Sequence, residues 1–538
     1  MSRDRKTDSL LQPGRGHTPS YGINEQEDSI NDEKEVEVRH STDRVWTVAV
    51  FSLIACLGSV VIGMSLGYST NTLAELSTLY NGGDDVYGIE KGSTEASLFG
   101  AFGPLGALFG GPVAWPLSER FGRKPVLLLG AIPGVVGWVA MAVSNLLPTR
   151  DGFLAFFYIG RILSGFASGW SIFCISVYIT EISTPKLRGL FGNCNQLFIT
   201  VGIFTVEALG FKPSSFLKFT DVALIAAGVL TLFAFLLLFV VETPSWLYKK
   251  GMDLEGNRTL NFLRGPNANI PREIRGIRSM VDNAQSFTIV DQLKAFKNRW
   301  VYLPFILVLG LMFFQQFSGI NAAIFYSSQI FSGAKVSNPT LISLLAVGLT
   351  QIFATFLSVV MVDLLGRKIL LTLSSSGMFI SSAGLGVYFL IFNHYCESEL
   401  GNGEGSGIAL SVCHHTNFGG LAIACVVVFI ISFSLGWGPI TWSMMSELLP
   451  LQVRGLAGAV STFVNWTFAF IITLAFSGYT GLVTPKFAWW SFSLVMLVSI
   501  FFVLFFLPET KGRKLDEIEE HFREGHIIYN PCKRERRN

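Results

Sequence analysis

Twelve stretches of this chain stay apolar long enough to cross a bilayer, and they fall into two groups of six. They run at roughly 45–74, 96–117, 125–146, 153–180, 190–210 and 221–241, then at 301–331, 340–362, 369–393, 419–446, 456–479 and 486–507. Between the groups, 242–300 is rich in Arg, Lys, Asp and Glu and reads as short amphipathic helices on a membrane face. Residues 1–43 form a polar, charged tail that reads as disordered, and 508–538 form a second tail. The expected fold is an all-α membrane protein with twelve transmembrane helices. Its parts are a six-helix bundle at 44–241, a helical linker at 242–300 and a second six-helix bundle at 301–507.

The two groups carry the same charged signature. Glu119-Arg120-Phe121-Gly122-Arg123-Lys124 follows the second apolar stretch, and Asp363-Leu364-Leu365-Gly366-Arg367-Lys368 follows the eighth. The glycines are 366 − 122 = 244 residues apart. A second motif repeats in the same order: Glu181 with Arg188-Gly189, then Glu447 with Arg454-Gly455, the acid seven residues before the arginine each time. Two unrelated motifs duplicated in order mark a duplicated, pseudo-symmetric membrane domain, the architecture of carriers that rock one half against the other.

Basic residues set the orientation. Alternate loops, counted with the linker, hold eighteen Lys and Arg against six in the opposite loops. Both tails and the linker are therefore expected in the cytoplasm. Composition agrees with a membrane chain: 14% of residues are charged, half are hydrophobic and the mean hydropathy is +0.48. A net charge of +2 gives no reason to expect nucleic acid. Of the seven cysteines, only Cys396 and Cys413 share a polar loop, where a disulfide is one option. No cleavable signal peptide is visible. Leu10-Leu11 resembles a sorting dileucine, although Lys6 stands where an acid is expected. The Asn-x-Thr sequons fall at Asn257, in the linker, and Asn465, inside an apolar stretch, so neither suits glycosylation.

The seventh stretch holds Gln315, Gln316 and Asn321. An unpaired amide in an apolar medium costs several kcal/mol, so these groups either line a cavity or bond helix to helix. Amides offer donors and acceptors together, as a sugar hydroxyl does. No metal cluster, nucleophile–base set or phosphate loop stands out, so neither a cofactor nor an enzymatic reaction is expected.

At this point the chain resembles the sugar porter family of the major facilitator superfamily, specifically animal facilitative glucose transporters and insect trehalose transporters. The resemblance spans about 44–522. It rests on Gly122-Arg123-Lys124, Gly160-Arg161, Glu181 to Gly189, Gln315 to Asn321, Gly366-Arg367-Lys368, Gly438-Pro439-Ile440-Thr441-Trp442 and Pro508-Glu509-Thr510-Lys511-Gly512. It implies that Gln196, Gln315, Gln316, Asn321, Trp442 and Asn465 bind sugar. It places an outer aromatic gate at Phe325 and Tyr326. It pairs Glu181, Glu242 and Glu447 with Arg123, Arg188, Arg367 and Arg454 as an inner charge gate.

The departures are informative. The hexose carriers' asparagine in the eighth helix is Gln351 here, their glutamate in the tenth is Ser434, and a second asparagine in the eleventh is Ala469. The usual Pro-Glu-Ser-Pro-Arg after the sixth helix reads Val241-Glu242-Thr243-Pro244-Ser245. Gln351, Ser434, Glu207 and Ser69 are further candidates for the substrate cavity. Proton-coupled relatives carry an aspartate directly after the Gly-Tyr pair of the first helix, where Ser69 follows Gly67-Tyr68. Glu207 is the remaining intramembrane carboxylate of the fifth helix, near its outer end, where a proton role and simple hydration are both open.

The resulting expectation is a facilitative uniporter of a sugar, first of all a hexose such as glucose, working by alternating access. A proton-coupled symporter and a trehalose or polyol carrier are the alternatives, and a non-transporting sugar sensor is a remoter one. The partners expected are a small-molecule sugar and the lipid bilayer, with no obligate protein partner. The plasma membrane is the expected location, an intracellular membrane the alternative.

Overall fold

The computed structural model describes residues 45–523 apart from 84–85, 91–92, 185–187, 212–216, 266–269, 286–288, 326–330, 332–337, 401–418, 451, 483–484, 512 and 514. The first tail, Tyr326, Cys413 and residues 524–538 lie outside the described residues, as do the side chains of Arg188, Phe325 and Cys396.

The first bundle is built from α1 (Val45–Asn81), α2 (Thr94–Phe121), α3 (Arg123–Val143), α4 (Arg150–Ile182), α5 (Arg188–Leu209) and α6 (Phe219–Leu237). The linker contributes α7 (Pro244–Lys249), α8 (Asp253–Arg264), α9 (Ile270–Gln285) and α10 (Ile289–Ala295). The second bundle follows as α11 (Arg299–Phe317), α12 (Ile320–Phe325), α13 (Pro339–Ser343), a π-helical turn at Leu344–Leu349 and α14 (Thr350–Leu365). It continues with α15 (Arg367–Leu400), α16 (Gly419–Leu435), α17 (Trp437–Leu448), α18 (Arg454–Leu482) and α19 (Pro485–Phe506). A last amphipathic helix, α20 (Leu515–Arg523), buries Ile518 and Phe522 and lays Arg523 4.5 Å over the Trp300 ring.

Among the described residues, eleven helical spans are long and apolar enough to cross a membrane. The helix α5 runs with them, but Asn193, Asn195, Gln196 and Glu207 dilute its apolar character. On α3 the exposed Leu129, Ile132, Val136 and Val139 recur every three to four residues. That spacing gives one lipid-facing stripe.

Close helix packing comes from small residues, as lipid gives helices no hydrophobic reason to associate. Gly106, Gly165 and Gly169 let the α2 and α4 backbones touch, and Gly63 and Gly202 do the same for α1 and α5. A methyl on any of these would collide with the facing backbone.

Two of the expected continuous stretches are broken. The seventh stops at Phe317 and restarts at Ile320, because Ser318 Oγ accepts the Ile320 N–H at 3.3 Å and Gly319 turns the chain at φ 90°. The tenth breaks at Gly436, between α16 and α17. Such breaks free backbone groups and are tolerated where they line a cavity or are re-bonded by neighbours.

Candidate functional site

The break in α11 carries the amides to one place. Gln315 Nε2 donates to the Trp437 carbonyl at 2.9 Å, beside the α16–α17 break. Asn465 Nδ2, from α18, donates to Gln315 Oε1 at 2.8 Å. Gln316 Nε2 donates to Asn465 Oδ1 at 2.9 Å, and Asn321 Nδ2 to Gln316 Oε1 at 2.5 Å. The result is a relay, Asn321 to Gln316 to Asn465 to Gln315 to the Trp437 carbonyl, that joins both broken helices to α18. All four amides are buried, Asn465 at 1% exposure. Gln315 Nε2 also reaches the Gly438 carbonyl at 3.5 Å and Asn465 Nδ2 the Met312 sulfur at 3.3 Å. The relay's capacity for a bound hydroxyl therefore lies in the second N–H of Gln316 and Asn321 and in the second lone pairs of the amide oxygens. Trp442, on α17, is half-buried five residues past Trp437.

On α5, Asn195 turns inward: its Nδ2 donates to Ser176 Oγ at 3.3 Å and its Oδ1 accepts the Ser59 hydroxyl. Gln196 is the next residue, about 100° round the helix, and half-buried. It shares a face with Glu207, eleven residues or about three turns further on. That face lies against the second bundle, because Glu207 packs against Gly348 of the π turn.

A family model described as "Sugar (and other) transporter" matches residues 51–522. The chain belongs to this family. It is 34% identical over 476 residues to the facilitated trehalose transporter Tret1-1 of Drosophila simulans, a match covering 88% of this chain and 52% of that protein. It is 32% identical to the Tret1 of Anopheles gambiae over 88% of this chain and 56% of that protein. The chain thus spans about half the length of the curated relatives it matches. Its fold resembles the proton:xylose symporter XylE bound to 6-bromo-6-deoxy-D-glucose, with a TM-score of 0.71 and 23% identity over 89% of this chain and 100% of that one. The twelve-helix major facilitator fold read from the sequence is therefore the fold of this sugar transporter family member, a multi-pass membrane protein.

In this family member the duplicated charges form two clamps. Arg123 Nη2 bonds Glu181 at 2.8 Å and Glu119 at 3.0 Å, and Arg123 Nη1 bonds the Ser118 carbonyl at 3.0 Å. The Glu242 carboxylate caps α3, accepting the Arg123 N–H at 3.0 Å and the Lys124 N–H at 3.1 Å. Burial pushes the Glu242 carboxyl up, while the backbone N–H groups and Arg123 pull it back. In the second copy, Arg367 Nη2 bonds Glu447 at 3.2 Å. Glu509 caps α15 through the Arg367 N–H at 3.1 Å and the Lys368 N–H at 3.0 Å. These pairs lie inside one bundle each. Arg454 bonds the Leu449 carbonyl at 3.0 Å.

Glu509 and Glu119 were not among the site residues read from the sequence. The signal for Glu509 was its Glu-Thr pair just past a bundle's last helix, repeating Glu242-Thr243. The linker joins the first clamp: Lys249 Nζ bonds Glu119 at 2.5 Å, and buried Arg264 binds Glu273 and donates to the Ile182 carbonyl at 2.8 Å.

Both clamps depend on a glycine. Gly122 and Gly366 have φ of 101° and 93°, with ψ of 167° and 162°. This region is essentially glycine-only and costs other residues about 1–3 kcal/mol. A Cβ on Gly366 would also lie 2.7 Å from Glu509 Oε2. Gly366→Ala should therefore lower the thermal midpoint in detergent. Gly458→Ala, whose methyl meets nothing within 4 Å, should leave it unchanged. Equal midpoints for the two variants would remove the capping role.

Ser69 faces away from the bundle interface. Its Oγ accepts Arg161 Nη2 at 2.7 Å, deep in the first bundle. Arg161 is 1% exposed, donates to the Ser65 carbonyl at 2.6 Å and lies 5.1 Å over the Phe99 ring. Hydroxyl, carbonyls and ring solvate the cation. Gln351 and Ser434 are both 1% exposed, and among the described residues neither Gln351 Oε1 nor Ser434 Oγ has a hydrogen-bond partner. Ser358 Oγ donates to the Leu435 carbonyl at 2.8 Å, which brings the Gln351 helix against Ser434's neighbour. Glu207 is 2% exposed, so it is not the hydrated carboxylate that its place near a helix end allowed. Of the sequon asparagines, Asn465 is buried in the relay and Asn257 Oδ1 accepts the Tyr248 hydroxyl at 2.7 Å.

Proposed function

We propose that this protein carries a neutral sugar across a membrane down its gradient, by alternating access, and that trehalose suits it better than glucose. The observation that carries the reading is the amide relay at the two helix breaks of the second bundle, in a chain built of duplicated bundles. Neutral amides with spare donors and acceptors match hydroxyls without demanding a charged substrate. Affinity is expected to be modest, since a carrier must also release; millimolar binding corresponds to about −4 kcal/mol.

Two observations support trehalose over a hexose. The relatives matched over 88% of this chain are described as facilitated trehalose transporters. Gln351 and Ser434 stand where the hexose carriers it resembles have asparagine and glutamate, so the hexose contact set is altered. The gradient-driven reading is supported by Ser69 on Arg161, where a proton-coupled relative would carry a carboxylate. The basic linker supports cytoplasmic tails, with the plasma membrane as the natural site for such a carrier.

The test is uptake by reconstituted vesicles of labelled trehalose, glucose, fructose and polyols. Trehalose should equilibrate and never accumulate, with or without an imposed pH gradient. Concentrative, uncoupler-sensitive accumulation would overturn facilitation. Uptake of glucose in preference to trehalose would overturn the substrate assignment.

A further inference from the structure

On α5, Glu207 is enclosed at the seam between the two bundles. Neither carboxyl oxygen has a hydrogen-bond partner among the described residues. Opposite it, Gly348 leaves room that a side chain would take: a Cβ there would lie 2.7 Å from Glu207 Oε2 and 3.2 Å from Phe204 Cδ2. Gly348 belongs to the π turn Leu344–Leu349, which re-aims the start of α14. Next along that strip come Gln351 and Thr355, fully buried, with Gln351 Oε1 and Thr355 Oγ1 also without a hydrogen-bond partner among the described residues.

This end of the seam, away from the basic linker, is closed. Thr70 Oγ1 of the first bundle donates to the Ile324 carbonyl of the second at 2.8 Å. The enclosed carboxyl oxygens and the backbone of Gly348 against them leave no space for a sugar ring.

Among the described residues, no cation pairs with Glu207 in this arrangement. On α1, Glu75 accepts the Phe219 N–H at 3.0 Å and Tyr68 donates to the Phe219 carbonyl at 2.8 Å. Asn71 Nδ2 bonds the Glu207 backbone carbonyl at 2.8 Å, not its side chain. On α4, Arg161 is engaged by Ser65 and Ser69, and Glu181 by Arg123. On α17, Glu447 is engaged by Arg367. The described side chains of the π turn and α14 are uncharged. An ionised carboxylate is very costly in such a place, so the closed seam requires the neutral acid.

We propose that Glu207 is a proton-binding site that latches the outer seam, taking up one proton from the outer solution on closing and returning it on opening. The inference rests on the alternating-access reading. In that cycle the outer seam is shut whenever the inner side opens, so the proton exchanges only with the outside. External pH then sets the outward-open population without net proton transport, in keeping with a facilitative carrier. The sign is fixed by burial: acid favours the closed seam, and alkali, which ionises Glu207, favours the open one, where water solvates the charge.

The experiment uses the full chain in detergent, without sugar, in a background with its native cysteines replaced. Ala208→Cys and Leu345→Cys, exposed residues on opposite sides of the seam, carry spin labels, and pulsed electron resonance reads the distance between them. The long-distance fraction should rise with pH, the open-to-closed ratio changing by up to about tenfold per pH unit for one linked proton. Glu207→Gln, neutral and of the same shape, should keep the short distance at every pH. A pH-independent distribution in the parent, or a Glu207→Gln profile that follows it, would overturn the latch. Because no sugar is used, this result stands apart from the vesicle assay, and either reading can fail alone.

Discussion

Replacing Gln316 by leucine should weaken sugar binding by roughly ten- to a hundred-fold, the cost of about 1–3 kcal/mol for a hydroxyl left unpaired. The same change strikes the relay. Asn321 Nδ2 loses its acceptor and Asn465 Oδ1 loses its donor, both in buried positions. The thermal midpoint should fall as well, although leucine suits the surrounding helices. Adding Asn465→Leu should cost less than the sum of the two single changes, because the residues share one hydrogen bond. Titration calorimetry and thermal unfolding in detergent read both effects. Unchanged binding with a lowered midpoint would show that the amides only join helices.

Arg123→Ala should be comparably severe by a different route. Arg123 is 5% exposed, and its guanidinium holds Glu119, Glu181 and the Ser118 carbonyl together. Removing it leaves the Glu181 carboxylate uncompensated, at roughly 3–5 kcal/mol, while Glu119 keeps Lys249. The clamp gathers the ends of α2 and α4, the start of α3 and the turn after α6, all in one bundle. Loosening it should destabilise that bundle first, and should also raise labelling of cysteines on the inner wall of the central cavity. Arg367→Ala should do the same to the second bundle, since Glu447 and Glu509 repeat the arrangement. Normal stability and unchanged accessibility in both variants would leave these arginines with only a role in setting topology.

Local pattern and chain order were enough for much of this. Runs of apolar residues set the helices because a bilayer core has a fixed thickness and every backbone group inside it must be bonded. The offset of 244 residues between the two glycines exposed the duplication. The Gln315–Asn321 cluster was conspicuous because three amides in an apolar run need a reason.

Tertiary structure decided what those groups face. Gln316 finds Asn465 149 residues away, and Glu242 finds the Arg123 N–H 119 residues back. Spacing along one helix encodes direction round its own axis but not the neighbour that packs there. The break at Ser318–Gly319 was hidden inside an apolar stretch, because hydropathy does not register a φ of 90° at Gly319. Ser69 could be read as cavity lining until Arg161 was seen to take its oxygen. Glu207 is the sharpest case. Its position near a helix end left hydration and a proton role both open, and its burial came from Gly348, on the other bundle, whose missing side chain lets the two halves close over the carboxyl.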